Sequence, residues 1–531
     1  MPLNRWILAT LVAFPGAAMS ATPVWEQFVE ARKTGAEPVL PDYSWAGYMD
    51  SEVPIPDVAG PIFDVTKYGA VGDDNVSDQK AIRDAIAAAQ EAGGGVVFFP
   101  PGKFLMNTFD DDGKPTFITT GNIVLRGSGM AEGGTIVQMV NCFPPDDPDK
   151  MYSTPFLITF LPKFENPEQG TFAKVTDDAR RETFSVTVDS TARLRVGQRV
   201  TLAMQSTDAI PEFLAPHSPD ATMTRLVKGG IQVTERHRIA AIEGNTVTFR
   251  EPLHTNVTSS YGWTLEPYNV AENVGVEDIC FMGNWRQRFV HHRTALDDGG
   301  WSILELDSLA NSWVRRCSFI NTNHAINVRS CSQTSILQVI FAGSPGHFAI
   351  HARAGYGFLG GLLEDRALMW HGPSMGYQGV GTIYWRCEMG PEQRMDSHSG
   401  QPYVTLYDAI NGGILKGMGG PLAGMPHHLR YFTFWNFNHR SKVEKAYQFW
   451  NPGKKERFVM PIFVGLHGTP VELDAENLQL LESQGRPVEP ESLFEAQLAL
   501  RLGGLPEWVD KERNRWDEIR AMKLPSHPRY P

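Results

Sequence analysis

Apolar and polar positions in residues 63–106 follow an order that predicts strand, turn, helix, glycine stop and strand. The helix is predicted from near Asp78, because Ala81, Ile82, Ala85, Ile86 and Ala89 recur on one face at helical spacing. Ser77 or Asp78 stands where a side-chain oxygen can cap the first exposed N–H groups. Gly93, Gly94 and Gly95 offer the left-handed conformation at which helices end. Val96 to Phe99 then form a solid apolar run, and Pro100-Pro101-Gly102 turns the chain.

Further along, short apolar segments that end in polar turns recur: VEDICFMGN (276–284), WVRRCSFIN (313–321), SILQVIFAG (335–343), RALMWHG (366–372) and TIYWRCEMG (382–390). Phe319 and Phe341 lie 22 residues apart, the length of one solenoid coil in which like positions stack. Asn321, Asn323 and Asn327 fall where turns are expected. Cys280, Cys317 and Cys387 sit inside these strands and read as small buried side chains stacked in one ladder. A β-sandwich is the competing arrangement.

Two regions break the repeat. Residues 166–260 alternate apolar and polar positions around hairpin turns such as Glu243-Gly244-Asn245, which predicts an inserted antiparallel β subdomain. Residues 471–531 carry Leu478, Leu480, Leu481, Leu493, Phe494, Leu498, Leu500 and Leu502 in helix-forming sequence, followed by Trp508 and Trp516. Short helices lying back on the solenoid are expected there. Residues 22–62 are proline-rich and read as an extended wrap, 63–165 as the cap and first coils, and 261–470 as the main solenoid with its groove.

The order of elements in 63–106 resembles the opening of the pectate-lyase superfamily of right-handed parallel β-helices. That superfamily includes polysaccharide lyases, polygalacturonases and phage tailspikes. GNWRQRFVHHRTALDDGGW (283–301), DSHSGQPYVTLYDAINGG (396–413), PHHLRYFTFWNFNH (426–439) and PIFVGLHG (461–468) resemble an uncharacterised secreted group within it. The resemblance implies an all-β fold: a right-handed single-stranded parallel β-helix with an N-terminal capping helix, an inserted antiparallel β subdomain and a helical C-terminal tail. The cap covers an end coil that would otherwise be a sticky sheet edge.

Charge and leader change the picture in two ways. The chain of 531 residues carries a formal charge of −12, which argues against nucleic acid but leaves room for a local basic groove that takes an anionic polysaccharide. Five scattered cysteines form no disulfide framework or zinc motif. Arg5, the apolar run Trp6 to Phe14 and the small residues Gly16 to Ala21 read as an export signal over residues 1–21. The apolar run is shorter than the ~20 residues that span a bilayer, so no stable membrane insertion is expected. A secreted or periplasmic protein of undetermined oligomeric state follows.

Candidate chemistry concentrates between Arg286 and His439. His324, His347, His371 and His398 are separated by 23, 24 and 27 residues, near one coil each, so a solenoid would bring them into one column. β-Helical lyases use His, Tyr, Lys and Arg as base, acid and carboxylate partner, and the resemblance extends those roles here. His347 or His398 is the expected base, Tyr377 the acid, and Arg329, Arg353 and Arg394 the groups that neutralise a substrate carboxylate. Arg353 is counted with the catalytic set. His324, His351, His371, Asp396, Gln401 and His292 complete the substrate-binding groove.

No cofactor is required by this reading. Asp297 and Asp298, before Gly299-Gly300, are either a calcium site or a surface turn. His347 and His351 have the spacing of a zinc helix but lie in predicted strand and turn and lack the HExxH glutamate.

Lyase cleavage of a uronic-acid polymer by β-elimination is the first reading. Hydrolysis by paired carboxylates drawn from Asp297, Asp298, Asp307, Glu364, Asp365, Asp396 and Asp408 is the second. Asn321-Thr322-Asn323 and Gly346-His347-Phe348 only partly echo polygalacturonase motifs, and no Asp-Asp pair lies between them. A non-catalytic carbohydrate-binding or adhesion protein is the third.

Overall fold

The computed structural model describes residues 21–415, 419–442 and 446–527. Residues 1–20, nearly all of the expected export signal, lie outside them. Apolar alternation along each coil builds two parallel sheets, and the chain winds between them as a right-handed parallel β-helix. The larger sheet runs from Ile62–Asp64 through Gly95–Phe98, Ile123–Arg126 and Gly275–Glu277 to Leu309–Ile320, Ser332–Ala342, Leu359–Asp365, Val380–Trp385, Tyr403–Asp408, Phe432–Trp435, Ile462–Val464 and Leu480–Glu482. The second sheet includes Ser302–Asp307, His324–Arg329, Phe348–Arg353, Ser374–Gly376 and Arg394–Ser397.

Inside the coils like residues stack. Phe319 pairs in register with Phe281 on one side and Phe341 on the other, with ring centres 5.2 and 6.0 Å apart. The expected cysteine ladder is only partly formed. Cys317 and Cys387 share a column through Val339 and Leu363, whereas Cys280 stands one column over, opposite Ser318. The reason is strand phase: Cys280 is a residue further along its strand than Cys317 is on the next. All five thiols are free.

A backbone corner repeats on successive coils from Asp278 onward. Asp278, Arg316, Gln338, Leu362, Arg386, Ala409 and Asn436 occupy successive rungs at one point of the larger sheet, and all have φ between 46° and 60°. These are left-handed conformations carried by residues other than glycine. A second corner stacks Ser308, Ser330, Ala354 and Tyr377 at φ 57°, 54°, 49° and 49°.

The cap helix is Gln79–Glu91, and Ala81, Ile82, Ala85, Ile86 and Ala89 face the core over the first coils. Ser77 accepts from the Gln79 N–H at 3.2 Å. Asp78 instead spends its carboxylate on the Val71 and Leu105 N–H groups, both at 2.8 Å, and so ties the cap to the first strands. Asp73 is a turn residue at φ 64°.

Three attachments cover the solenoid. Residues 22–62, expected to be extended, begin instead with a helix, Pro23–Thr34, capped by Thr22 and stopped by Gly35 at φ 71°. Pro23 is tolerated because the first helical turn needs no N–H partner there. The inserted antiparallel sheet spans Ala173–Lys174 to Thr264–Pro267 and docks on the solenoid through Tyr403, whose hydroxyl donates to buried Glu235 at 2.6 Å. The tail helices Leu493–Leu502 and Glu507–Ala521 lie on the larger sheet. There Asp408 accepts from the Ser492 hydroxyl and the Leu493 and Phe494 N–H groups, and Arg386 pairs with Glu491 and Glu495. Among the described residues, no helix is long and apolar enough to cross a membrane.

Candidate active site

The polar cluster sits on the outer face of the second sheet. The period-two rule turns Leu304, Leu306, Ile326, Val328, Ile350, Ala352, Met375 and Met395 into the core, so the residues between them point outward. Glu305, Asn327, His351, Ser374 and Asp396 stack in one register column, and Asp307, Arg329, Arg353 and Gly376 in the next.

The two expected arginines differ in state. Arg329 is paired with the Asp307 carboxylate. Arg353 has no carboxylate in ion-pair range among the described residues, and its buried Nε has no hydrogen bond. Burial, with Arg329 beside it, pulls the Arg353 guanidinium below its ordinary pKa. The side chain of Arg394 lies outside the described residues.

Gly376 leaves a gap in this column. A Cβ there would lie 3.4 Å from the His398 Cβ and 3.5 Å from His351 Nε2. The gap is therefore bounded by Arg353, His351 and His398, and Tyr377 follows at the corner with its ring centre 6.4 Å from His351. His398 Nδ1 lies 3.3 Å from Asp396 Oδ2, which leaves its Nε2 as the free ring nitrogen. Burial would raise the Asp396 carboxyl, but His371 and His398 beside it hold it well below the usual range. His351 is kept neutral: burial, Arg353 and His398 all pull its pKa well down.

The four histidines at coil spacing come together. Ring centres are 5.1 Å apart for His324 and His347, 5.2 Å for His347 and His371, and 5.4 Å for His371 and His398. Their tautomers follow from the hydrogen bonds. Ser302 donates to the Gly299 carbonyl at 2.7 Å, so it accepts from His324 Nδ1 at 2.8 Å. His324 Nε2 then accepts from His347 Nδ1 at 3.0 Å, and the Asp298 carbonyl lies 3.3 Å from the same nitrogen. The nitrogen left to His347 is Nε2. Burial, with four other imidazoles around it, pulls His347 well below the usual histidine pKa.

Other expected residues lie outside this arrangement. Gln401 is buried and bonded to the inserted subdomain, accepting from the Gln232 N–H and donating to the Gly230 carbonyl. The calcium reading of Asp297 and Asp298 does not fit. Asp297 is held by Arg293 and by the Thr294 hydroxyl at 2.6 Å, and Asp298 by the His292 ring at 2.5 Å and its N–H at 2.9 Å. Their oxygens are committed to protein donors and form no oxygen cage. His292 thereby serves to fix a loop.

Several carboxylates expected for hydrolysis are also structural. Asp408 holds the tail helix, Glu364 pairs with Arg366 and Arg520, and Asp365 accepts the Leu368 and Met369 N–H groups. His291 belongs to the polar cluster legible between Arg286 and His439, whereas Phe289, Trp370 and Glu305 gave no such signal. His291 stacks on Trp370 with centres 5.2 Å apart, and Phe289 stacks on His347 at 5.6 Å. His291 and Phe289 sit in the loop before Ser302, where coil spacing carries no signal.

Comparison with known proteins adds similarity at both ends of the solenoid. Residues 62–139 match the family model described as rhamnogalacturonase A/epimerase, pectate lyase-like, and residues 368–512 match a domain of unknown function, DUF4955. Alginate lyase 7 of Azotobacter vinelandii is 35% identical over 79 residues, which is 15% of this chain and 9% of that enzyme. Mannuronan C5-epimerase AlgE6 of the same organism is likewise 35% identical over 79 residues, 15% of this chain and 9% of the epimerase. The chain thus spans under a tenth of the length of these two relatives. The tailspike protein gp49 of Pseudomonas phage LKA1 aligns over 78% of this chain and 72% of its own, at 13% identity and a TM-score of 0.43. The chain is a parallel β-helix whose capped N-terminal coils are similar to the pectate-lyase-like family.

Proposed function

We propose that this is an exported enzyme acting on a uronic-acid-containing polysaccharide by β-elimination at the Gly376 gap. The observation that carries the reading is Arg353: a guanidinium with no carboxylate in ion-pair range among the described residues, Glu305 and Asp307 acting on it only from further off, beside neutral His351, the Asp396–His398 pair and Tyr377. A substrate carboxylate supplies the missing partner. Its neutralisation makes the adjacent C–H acidic, since the charge that develops on proton removal flows into the carboxyl group.

His398 is the base in this scheme, with Asp396 orienting its ring. It removes the proton next to the carboxylate. The C–H electron pair forms the new C=C bond, the glycosidic C–O bond breaks, and Tyr377 gives its proton to the leaving oxygen. His347 is the poorer base. It is only 9% exposed and covered by Phe289. The similarity to an alginate lyase and to mannuronan C5-epimerases supports a polyuronate as substrate. Proton removal beside the carboxylate is the step that elimination and C5 epimerisation share, so epimerisation is the second reading.

The test is incubation with alginate, pectin, glucuronan and ulvan. Ultraviolet absorbance of unsaturated ends and release of reducing ends are followed together, and the polymer is examined by proton NMR. Rise of both signals is expected. Reducing ends alone would replace elimination with hydrolysis, and an altered uronate ratio without scission would replace it with epimerisation. Binding without any of these changes would mark a carbohydrate-binding protein.

A further inference from the structure

We propose that His291, His347 and His371 form a binding site for one zinc-class divalent metal ion. The three imidazoles stand at the corners of a nearly equilateral triangle. Ring centres are 5.1 Å apart for His291 and His347, 5.2 Å for His347 and His371, and 5.3 Å for His291 and His371. Three imidazoles on one tetrahedral ion, with metal–nitrogen bonds of about 2.0–2.1 Å, have ring centres roughly 5.2 Å apart. One nitrogen from each ring already lies within 4.8 Å of the others, so ring rotation rather than backbone movement closes the set.

Hydrogen bonding favours the same assignment. His347 is left with Nε2 because its Nδ1 is engaged by His324 and the Asp298 carbonyl. His371 is 5% exposed, yet its Nε2 makes no hydrogen bond. A buried ring nitrogen without a partner forfeits its hydration for nothing unless a ligand replaces it. His371 Nδ1 lies 3.1 Å from Asp396 Oδ2. That carboxylate is 1% exposed, and no Lys or Arg among the described residues pairs with it. A carboxylate behind a ligating histidine is the usual outer support of a zinc site, fixing the tautomer and raising ligand basicity.

The backbone holds two ligands in place before any ion arrives. The His371 N–H donates to the His347 carbonyl at 2.7 Å, and the His347 N–H donates to the Asn323 carbonyl at 2.8 Å. His291 comes from the loop before Ser302, its ring stacked on Trp370. Phe289 and Trp370 give the site an apolar wall. Donor chemistry selects the ion: three neutral imidazoles suit zinc and its neighbours, whereas calcium and magnesium require oxygen ligands. Three protein ligands leave a fourth tetrahedral position for water or a ligand oxygen.

The site adjoins the Gly376 gap but does not depend on what that gap binds. Asp396 links the two, through His371 on one side and His398 on the other.

The test uses the full chain without an affinity tag. It is stripped with EDTA, dialysed, and titrated with zinc chloride alone by calorimetry, with elemental analysis of the product. Cobalt(II) replaces zinc in a parallel sample for visible spectroscopy. One equivalent of zinc per chain and a tetrahedral cobalt spectrum are expected. His291→Ala and His347→Ala are expected to abolish stoichiometric binding, and Asp396→Asn to weaken it about 10–100-fold. Circular dichroism of each variant checks folding, and His291→Ala, in a loop, is the variant least exposed to misfolding. Absence of zinc uptake by the folded wild-type chain would overturn the proposal. So would binding that survives His291→Ala but is lost in His398→Ala, which would place the ion on His371, Asp396 and His398 instead.

Discussion

Arg353 and His398 flank one empty rung: Gly376, in register with Arg353, puts no side chain between them. A Cβ added at this rung would meet His398 Cβ, the Ser399 carbonyl and His351 Nε2 at 3.4–3.5 Å. Gly376 does not have a positive φ, so alanine fits its backbone, and the added Cβ would sit at ordinary contact distance from its neighbours. Gly376→Ala is therefore expected to leave the melting temperature unchanged while lowering kcat/KM about 10- to 100-fold through displaced substrate. Paired thermal melts and kinetics decide it. Full activity would remove the gap from the mechanism.

Arg353→Ala is expected to reduce kcat/KM on a uronate polymer by roughly 100- to 1,000-fold. Arg353→Lys is not expected to restore it, since a point charge replaces a fork matched to a carboxylate. Arg329→Ala should cost far less, because Asp307 already occupies that guanidinium. Comparing the three variants on one substrate separates binding of substrate charge from a general electrostatic effect.

His398→Ala is expected to lower kcat by about 100- to 10,000-fold, the range for a lost general base. Asp396→Asn should lower kcat as well, since it removes the carboxylate that orients the ring. Binding measured on the inactive variants by calorimetry is expected to stay near wild type.

Stability should fall with acid in a way that depends on His428. That ring is fully buried, donates Nδ1–H to the Leu429 carbonyl at 2.7 Å, and accepts from Thr405 at 2.9 Å. Burial pulls its pKa down to about 3. Between pH 6.5 and 3 the unfolded chain binds a proton that the folded chain refuses. The stabilisation from neutral His428 is therefore complete above about pH 6.5 and declines as pH falls, by about 2 kcal/mol at pH 5. Urea midpoints at pH 7.5 and 5 should differ more for the wild type than for His428→Gln.

Phe319→Ala removes the middle ring of the Phe281–Phe319–Phe341 stack. A loss of about 3–5 kcal/mol is expected, read as a lower denaturant midpoint. A loss under 1 kcal/mol would mean that the coils collapse into the cavity.

The fold was legible because its signals are local or strictly periodic. The cap helix shows as Ala81, Ile82, Ala85, Ile86 and Ala89, and the coil length as Phe319 to Phe341. The four spaced histidines converge for the same reason. What spacing could not show was partnership. Asp297 and Asp298 are legible as a calcium site or a surface turn, and nothing in their spacing shows that Arg293 and His292 pair with them. Gln401 falls among groove residues in sequence yet turns to the inserted subdomain. His291 lies in a loop that obeys no period, and Gly376 acts through the side chain it lacks. The helix Pro23–Thr34 was obscured by the prolines around it, although its Thr22 cap and Gly35 stop were in plain order.

The stacked left-handed corners explain how this site tolerates unequal coils. The histidine spacings of 23, 24 and 27 residues would scatter the side chains if length errors accumulated. Each corner, from Arg316 through Gln338, Leu362 and Arg386, re-indexes the chain, so an insertion bulges out between corners and the next rung starts again in phase. The solenoid behaves as a ruler with a stop at every graduation. Loops on the groove side are thereby free to differ in length while Arg353, Gly376 and His398 keep their places on successive rungs.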